Sequence, residues 1–429
     1  MWRMGTTRWL VIFWVFIVAA LSYLDRANIS VAATPIREAF GISTVQLGAV
    51  FSAFAVGYAF TQPIAGRIAD RFGPRKVILI GALWWSVFTA GTALAPTGYA
   101  WSLSFLIVMR LILGVGEAVI FPASNRLVAA WVPSNERGLA NGLIFAGVGF
   151  GAGVAPPLIT HIILLSDWRW AFYVSAAIGV VVAVAWYLSV RDTPAEQPGI
   201  KAEEAAYIAA GLPPKTSERP IKWGVILRDP QVALLTLSYF TFGYVAFIFF
   251  SWFFTYLSVV RGLDLKSSAL YAVLPFIAMS IGSWLGGVLA DRLVKRFGKR
   301  VGRCGVGGVS LLFASIFVAA ATQVADPRLA ALVLAGGAGA LYASISSYWS
   351  LSADLGGASA GSISGVMNMA NQIGSVITAS LTAIIAERFG WTASFLVAAG
   401  VCLVGAVLWI FVDPHHQIKV EGLEEGPGT

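Results

Sequence analysis

Gly66-Arg67-Ile68-Ala69-Asp70-Arg71-Phe72-Gly73-Pro74-Arg75-Lys76 is the stretch on which the architecture turns, because a second version of it occurs far downstream. That copy reads Gly287-Val288-Leu289-Ala290-Asp291-Arg292 and is followed by Phe297-Gly298-Lys299-Arg300. The shared Gly-x-x-x-Asp-Arg frame carries two charges, a later Phe-Gly and the same place after a second apolar run. Chance is a poor account of such a match. Halves that repeat in this way are an architecture of membrane transporters, in which the substrate site lies at the repeat interface near mid-bilayer.

The surrounding sequence has the matching composition. Hydrophobic residues make up 58% and charged residues 12% of the 429 positions, a balance that excludes an ordinary soluble chain. A helix needs about 20 mostly apolar residues to cross the hydrocarbon core. Runs of that kind fall near 9–36, 43–67, 76–96, 100–130, 136–160, 168–190, 231–260, 266–290, 301–321, 328–353, 358–386 and 391–412. They are continuous rather than alternating, so a β-barrel is excluded. The expected fold is therefore an all-α polytopic membrane protein with twelve transmembrane helices in two six-helix pseudo-symmetric bundles. Residues 1–190 form the first bundle and 231–412 the second. Between them, 191–230 is rich in Pro, Glu and Lys and reads as a cytoplasmic linker with one short helix around Ala202–Ala210, and 413–429 is a cytoplasmic tail. Arg3 and Arg8 precede an apolar stretch, yet that run continues through Asp25 and Arg26 without a small-residue cleavage site, so it is a span and not a leader.

With the N-terminus in the cytoplasm, most of the 29 Lys and Arg fall on that side and only Arg26 and Arg110 lie inside the membrane. Both termini are therefore expected to be cytoplasmic. The net charge of +8 is an orientation signal, and nucleic acid is not expected as a partner. Cys304 and Cys402 lie in hydrophobic spans and give neither a disulfide framework nor a metal spacing. His415-His416 reads as a solvated tail.

Charge at membrane depth is costly and marks function by default. In this reading it is confined to Asp25 and Arg26 in the first span and Arg110 and Glu117 in the fourth. Arg110 and Glu117 share a helix face about 10.5 Å apart along the axis. The four charges sum to zero, and the simplest arrangement pairs them across a cavity between the two helices. A guanidinium keeps its charge, whereas a desolvated carboxylate can take a proton near neutral pH. One protonation leaves the site at +1, ready for one anionic group. The bland alternative is a permanent structural network.

G-R-I-A-D-R-F-G-P-R-K resembles the loop signature of the major facilitator superfamily, and the downstream copy fits that resemblance. It implies a conformational latch in which Asp70, Arg71, Asp291 and Arg292 act as gating residues. S-Y-L-D-R-A-N-I-S, R-L-I-L-G-V-G-E-A-V-I-F-P-A-S-N-R with W-V-P-S-N-E-R-G, and Y-F-T-F-G-Y with F-F-S-W-F-F-T-Y-L resemble the anion:cation symporter family. That family includes permeases for hexonates, hexuronates and other organic acids, and vesicular glutamate and sialic-acid carriers. The resemblance implies that Arg26 grips a substrate carboxylate, that Glu117 carries the proton, and that Asp25 with Arg110 couples proton state to gating. Where sugar-acid permeases of the family commonly place Gln in the fifth span, this chain has Val148 or Gly149, which favours a less hydroxylated or aromatic carboxylate.

The second half supplies uncharged groups. Asn368, Asn371 and Gln372 share one helix face, and Asn368 and Gln372 are expected to face the cavity. Tyr23, Tyr58, Tyr244, Trp252 and Tyr348 are further lining candidates, against the ordinary reading of span aromatics as packing or interface anchors. The expectation is a proton-coupled symporter that imports a small organic anion, a sugar acid or other monocarboxylate. It would work as a monomer in a bacterial inner membrane, with no enzymatic activity, no metal and no cofactor besides the coupling proton. A drug or cation antiporter of the same fold and a transporter-like sensor are the rivals.

Overall fold

The computed structural model describes residues 7–212, 221–253, 256–263, 265–416 and 418. Among these residues every regular element is helical. The first half contains α1 (Thr7–Val31), α2 (Ala33–Phe40), α3 (Thr44–Phe72), α4 (Pro74–Ala93), α5 (Ser102–Glu117), α6 (Ile120–Trp131), α7 (Arg137–Leu165) and α8 (Trp168–Ser189). The linker carries α9 (Ala202–Gly211) and α10 (Trp223–Arg228). The second half contains α11 (Pro230–Ser251), α12 (Leu265–Ala272), α13 (Leu274–Lys299), α14 (Val306–Ala321), α15 (Pro327–Ala343), α16 (Ile345–Gly356), α17 (Ala360–Phe389) and α18 (Trp391–Phe411).

The boundaries differ from the apolar runs where the backbone changes direction. The first run ends in a separate short helix, α2, closed by Gly41 at φ 61. The fourth run is two helices, α5 and α6, interrupted at Ala118 and Val119, immediately after Glu117. Its repeat partner is likewise divided, α15 from α16 at Ser344. The Phe-Gly shared by the repeated loops has a backbone cause. Gly73 and Gly298 adopt φ 85 and 83, a region that side chains rarely enter, and each allows a tight turn from one span into the next.

Within each half the packing repeats. In the first, α1 packs on α7, α3 on α5 and α4 on α8; in the second, α11 packs on α17, α13 on α15 and α14 on α18. The halves meet along α3 against α17 and α7 against α13, two crossings that correspond under the repeat. Close approach needs small residues. A Cβ on Gly66 would lie 2.0 Å from the Gly361 carbonyl oxygen, and one on Gly287 would lie 2.2 Å from that of Gly138. The end of the bundle at these crossings, where Arg67, Arg71, Arg126, Arg137, Arg296 and Lys299 cluster, is called the basic end below.

A bulky side chain at these seams must part the halves. In a background with Cys304 and Cys402 replaced by Ala, and with Ser350→Cys as a reporter in the seam, Gly66→Leu and Gly287→Leu are each expected to raise the alkylation rate about tenfold, equivalent to ~1.4 kcal/mol. An unchanged rate would mean that the seams are not the contacts that close this end.

Candidate functional site

The four charged residues of the first and fourth spans come together, but as two sub-sites facing different ways. Ser22 and Arg26 are one turn apart on α1 and both face the end of α5. Ser22 Oγ and Arg26 Nε each donate to Glu117 Oε1 at 2.5 Å. The Glu117 side chain is fully buried, whereas that of Arg26 keeps 15% of its surface exposed. The Arg26 guanidinium lies 4.1 Å from the ring centre of Tyr58, 4.6 Å from that of Tyr23 and 5.3 Å from that of Phe54. Three aromatic faces thus hold one cation, a favourable arrangement where water is scarce.

Asp25 projects the other way, towards Trp85 of α4 and Ser175 of α8, with Arg110 as its nearby cation. Both residues are buried. Arg110 lies 4.9 Å from the centre of Phe54, so that ring is in reach of both guanidinium groups. Capacity is left over in both sub-sites. Glu117 Oε2, Arg26 Nη2, Arg110 Nε and both Asp25 carboxylate oxygens have no hydrogen-bond partner among the described residues. Ser22 and Phe54 were not singled out in the sequence. Ser22 stands one turn before Arg26, and that spacing alone could have found it.

Below the charges, towards the basic end, lies an aromatic layer. Phe121 is one turn beyond Glu117 and stacks on Phe145 at 5.2 Å. Trp349, from the second half, packs against Phe121 at 5.9 Å and Phe145 at 5.1 Å, and its Nε1 donates to the Tyr239 hydroxyl at 2.9 Å. One turn further, Asn125 Nδ2 donates to Ser352 Oγ at 2.8 Å across the seam.

A polar clasp completes this end. The Asp70 carboxylate accepts from the backbone N–H of Gly361 at 2.9 Å and of Ser362 at 2.7 Å, and from the Ser362 hydroxyl. Asp291 does the same for α7, accepting from the N–H groups of Gly138 and Leu139 at 2.9 and 2.6 Å. Each aspartate caps the N-terminus of a helix from the opposite half, where unpaired N–H groups and the helix dipole favour an anion. Arg71 and Arg292 do not take part: both side chains are exposed, and Arg71 lies over its own neighbour Phe72. The cations of the clasp are Arg126, 3.9 Å from Asp70, and Arg303, 2.9 Å from Asp291. The second half carries enclosed charge as well, at the ends of its spans. Arg303 is buried, and the Asp354 side chain, 3% exposed, pairs with Arg137 at 2.5 Å and Lys299 at 2.9 Å. They escaped the sequence reading because they sit at span ends, where charge is ordinary.

The remaining candidates divide. Tyr58 and Tyr23 touch Arg26. Tyr244 is buried, and its hydroxyl has no hydrogen-bond partner among the described residues. Tyr348 is a packing residue rather than a lining one: it is fully buried, shares a hydrogen bond with Ser238 Oγ at 2.6 Å and stacks among Tyr239, Phe242 and Trp409. Trp252 caps the far end of α11, edge-on to Trp391. Asn368 is buried and accepts from Asn371 at 3.4 Å, while Gln372 is half-buried. Asn371 belongs to the α11–α17 crossing, its carbonyl lying against Gly243. Gln62, overlooked in the sequence, is fully buried next to Tyr58, and among the described residues neither atom of its amide has a partner within hydrogen-bond geometry. At Gly149 a Cβ would come within 1.8 Å of Ser280 Oγ, so a side chain there would have to displace that hydroxyl at the α7–α13 crossing.

The sequence profile of the Major Facilitator Superfamily matches residues 15–379 and 358–428. The chain is 34% identical over 426 residues to the probable sulfoacetate transporter SauU of Cupriavidus necator, covering 98% of this chain and 97% of that one. It is 30% identical to the D-galactonate transporter of Escherichia coli O6:H1, covering 95% and 96% respectively. Among solved structures, the proton:xylose symporter XylE superposes with a TM-score of 0.76 at 17% identity, over 95% of this chain and 96% of that one.

The clasp makes opposite demands on neighbouring residues. Asp70→Ala is expected to weaken closure of the basic end by ~1–3 kcal/mol, the cost of leaving buried N–H groups unpaired. Arg71→Ala should leave it unchanged. Alkylation of the Ser350→Cys reporter measures both, and equal effects of the two would contradict the assignment.

Proposed function

The chain belongs to the Major Facilitator Superfamily, and on that premise we propose that it carries a small organic anion across the membrane together with protons, by alternating access. The observation that carries this reading is the shared bond between Arg26 and Glu117. One end of the pair is a permanent cation with part of its surface open; the other is a fully buried acid. While Glu117 is ionised it occupies Arg26 Nε. Once Glu117 is protonated the guanidinium is released, and its planar fork can take two oxygens of a carboxylate or sulfonate. Tyr23 and Tyr58 hold the guanidinium in place during the exchange. Asp25 on α1 and Arg110 on α5, buried near one another, form the second sub-site, through which proton state reaches the two helices that carry the charges. The names of the relatives support an anionic cargo, since sulfoacetate and galactonate are both organic anions.

In this reading the basic end faces the cytoplasm of a bacterial cell, as the distribution of Lys and Arg requires, and the protein imports its cargo as a monomer. The clasp and the aromatic layer then seal the cytoplasmic side while the site is loaded from the other. The proton is the coupling ion and no other cofactor is invoked.

Two substitutions separate the roles in proteoliposomes. Glu117→Gln is expected to abolish uptake driven by an inward proton gradient while leaving anion exchange across the membrane within about threefold of the wild type; proton-driven accumulation by the variant would remove Glu117 from the coupling role. Arg26→Lys is expected to weaken anion binding by about tenfold to a hundredfold, because an ammonium does not reproduce a planar bidentate grip worth ~1.5–3 kcal/mol. Unchanged binding would place the anion at Arg110. Accumulation of a cation with no uptake of any monocarboxylate or sulfonate would replace the reading with that of a cation antiporter.

A further inference from the structure

The linker does more than connect the halves. Its first part is fixed to the first half. Glu204 of α9 accepts from the backbone N–H groups of Thr7 and Arg8 at 3.2 and 3.1 Å, and Tyr207 donates its hydroxyl to Glu136 at 2.7 Å. The N–H of Ser134 donates to the carbonyl of Gly211 at 3.0 Å. Its last part belongs to the second half. Helix α10 leads directly into α11, whose N-terminus is capped by Asp229, and Asp229 also meets His416 at 2.7 Å.

Between these anchors the backbone of Ile221 touches both halves at once. Arg67 Nη1, on α3, donates to the Ile221 carbonyl at 2.6 Å, and the Ile221 N–H donates to Ser359 Oγ, at the start of α17, at 2.7 Å. Ile221 and Ser359 are both buried. Ser359 occupies the N-cap position of α17 yet does not cap it. The first N–H groups of α17 are taken by Asp70 instead, which leaves the Ser359 hydroxyl to hold the linker. Arg67 and Asp70 both lie on α3, so linker and clasp bridge the same α3–α17 seam.

We propose that the linker is a strap across the basic end: the Ile221 backbone, its carbonyl held by Arg67 from one half and its N–H held by Ser359 from the other, adds to the closed state and must leave at least one of them before the seam opens. Any separation of α3 from α17 that breaks the clasp also parts Arg67 from Ser359, and the backbone of a single residue cannot follow both. The conformational equilibrium of the carrier is thus tied to the position of its linker. This holds whatever the cargo, and it goes beyond the transport reading.

The test needs no substrate, so it stands or fails separately from that reading. Full-length protein lacking Cys304 and Cys402 and carrying Ser350→Cys is alkylated in detergent and in proteoliposomes. Ser359→Ala is expected to raise the rate about fivefold, the population change that one lost buried hydrogen bond produces. Ser359→Thr, which keeps the hydroxyl, should restore the wild-type rate, and Arg67→Met should raise it without adding to Ser359→Ala, because either break frees the same strap. A rate unchanged by Ser359→Ala and Arg67→Met, a Ser359→Thr variant as fast as Ser359→Ala, or strictly additive effects would each overturn the proposal.

Discussion

A guanidinium buried in a bilayer cannot shed its charge, so the protein around Arg26 must supply an anion or an electron-rich surface in every state. It supplies both. Glu117 provides the anion and Tyr23, Tyr58 and Phe54 provide the aromatic faces. The acid can be neutralised and the cation cannot. In the proposed mechanism that asymmetry makes a costly ion pair an exchange site, since removal of the Glu117 charge would leave Arg26 in need of another anion. Arg110 poses the same problem nearby, and Phe54, within cation–π distance of both guanidinium groups, serves both.

The rest of the structure sets which side that exchange can reach. Directly beneath the pair lies the layer of Phe121, Phe145 and Trp349, and beneath that a seam of close helix crossings that only small residues permit. The seam is locked by two aspartates that use each other's half as partner: Asp70 caps α17 and Asp291 caps α7. Because the lock is made of backbone N–H groups at helix ends, it has a defined geometry and breaks as a unit. Such contacts suit a bistable interface better than a continuous hydrophobic one would.

Much of this was legible in the sequence, for identifiable reasons. The repeated Gly-x-x-x-Asp-Arg frame revealed the two halves, and Asp25, Arg26, Arg110 and Glu117 announced themselves because charge inside an apolar run has few bland explanations. Direction was less legible. Asp25 and Arg26 are adjacent in sequence, yet about 100° of helix rotation separates them, and they serve different partners. The motif offered Arg71 and Arg292 as gating residues, but in the fold the clasp cations are Arg126 and Arg303, whose partners lie on other helices. Polar residues such as Ser22, Gln62 and Ser359 carry no signal by themselves and acquire meaning only from what faces them. Tyr348 shows the reverse, a residue with the chemistry of a binding group that the fold uses for packing.

In the proposed mechanism anion and proton move together through the Arg26–Glu117 exchange. Proteoliposomes with a pH-sensitive dye in the lumen, and no imposed gradient, test it most directly when an organic anion such as sulfoacetate or galactonate is added outside and its uptake is followed in parallel. Acidification of the lumen in step with anion entry is expected, and its loss with Glu117→Gln. Anion entry with no change of luminal pH, or with alkalinisation, would contradict it.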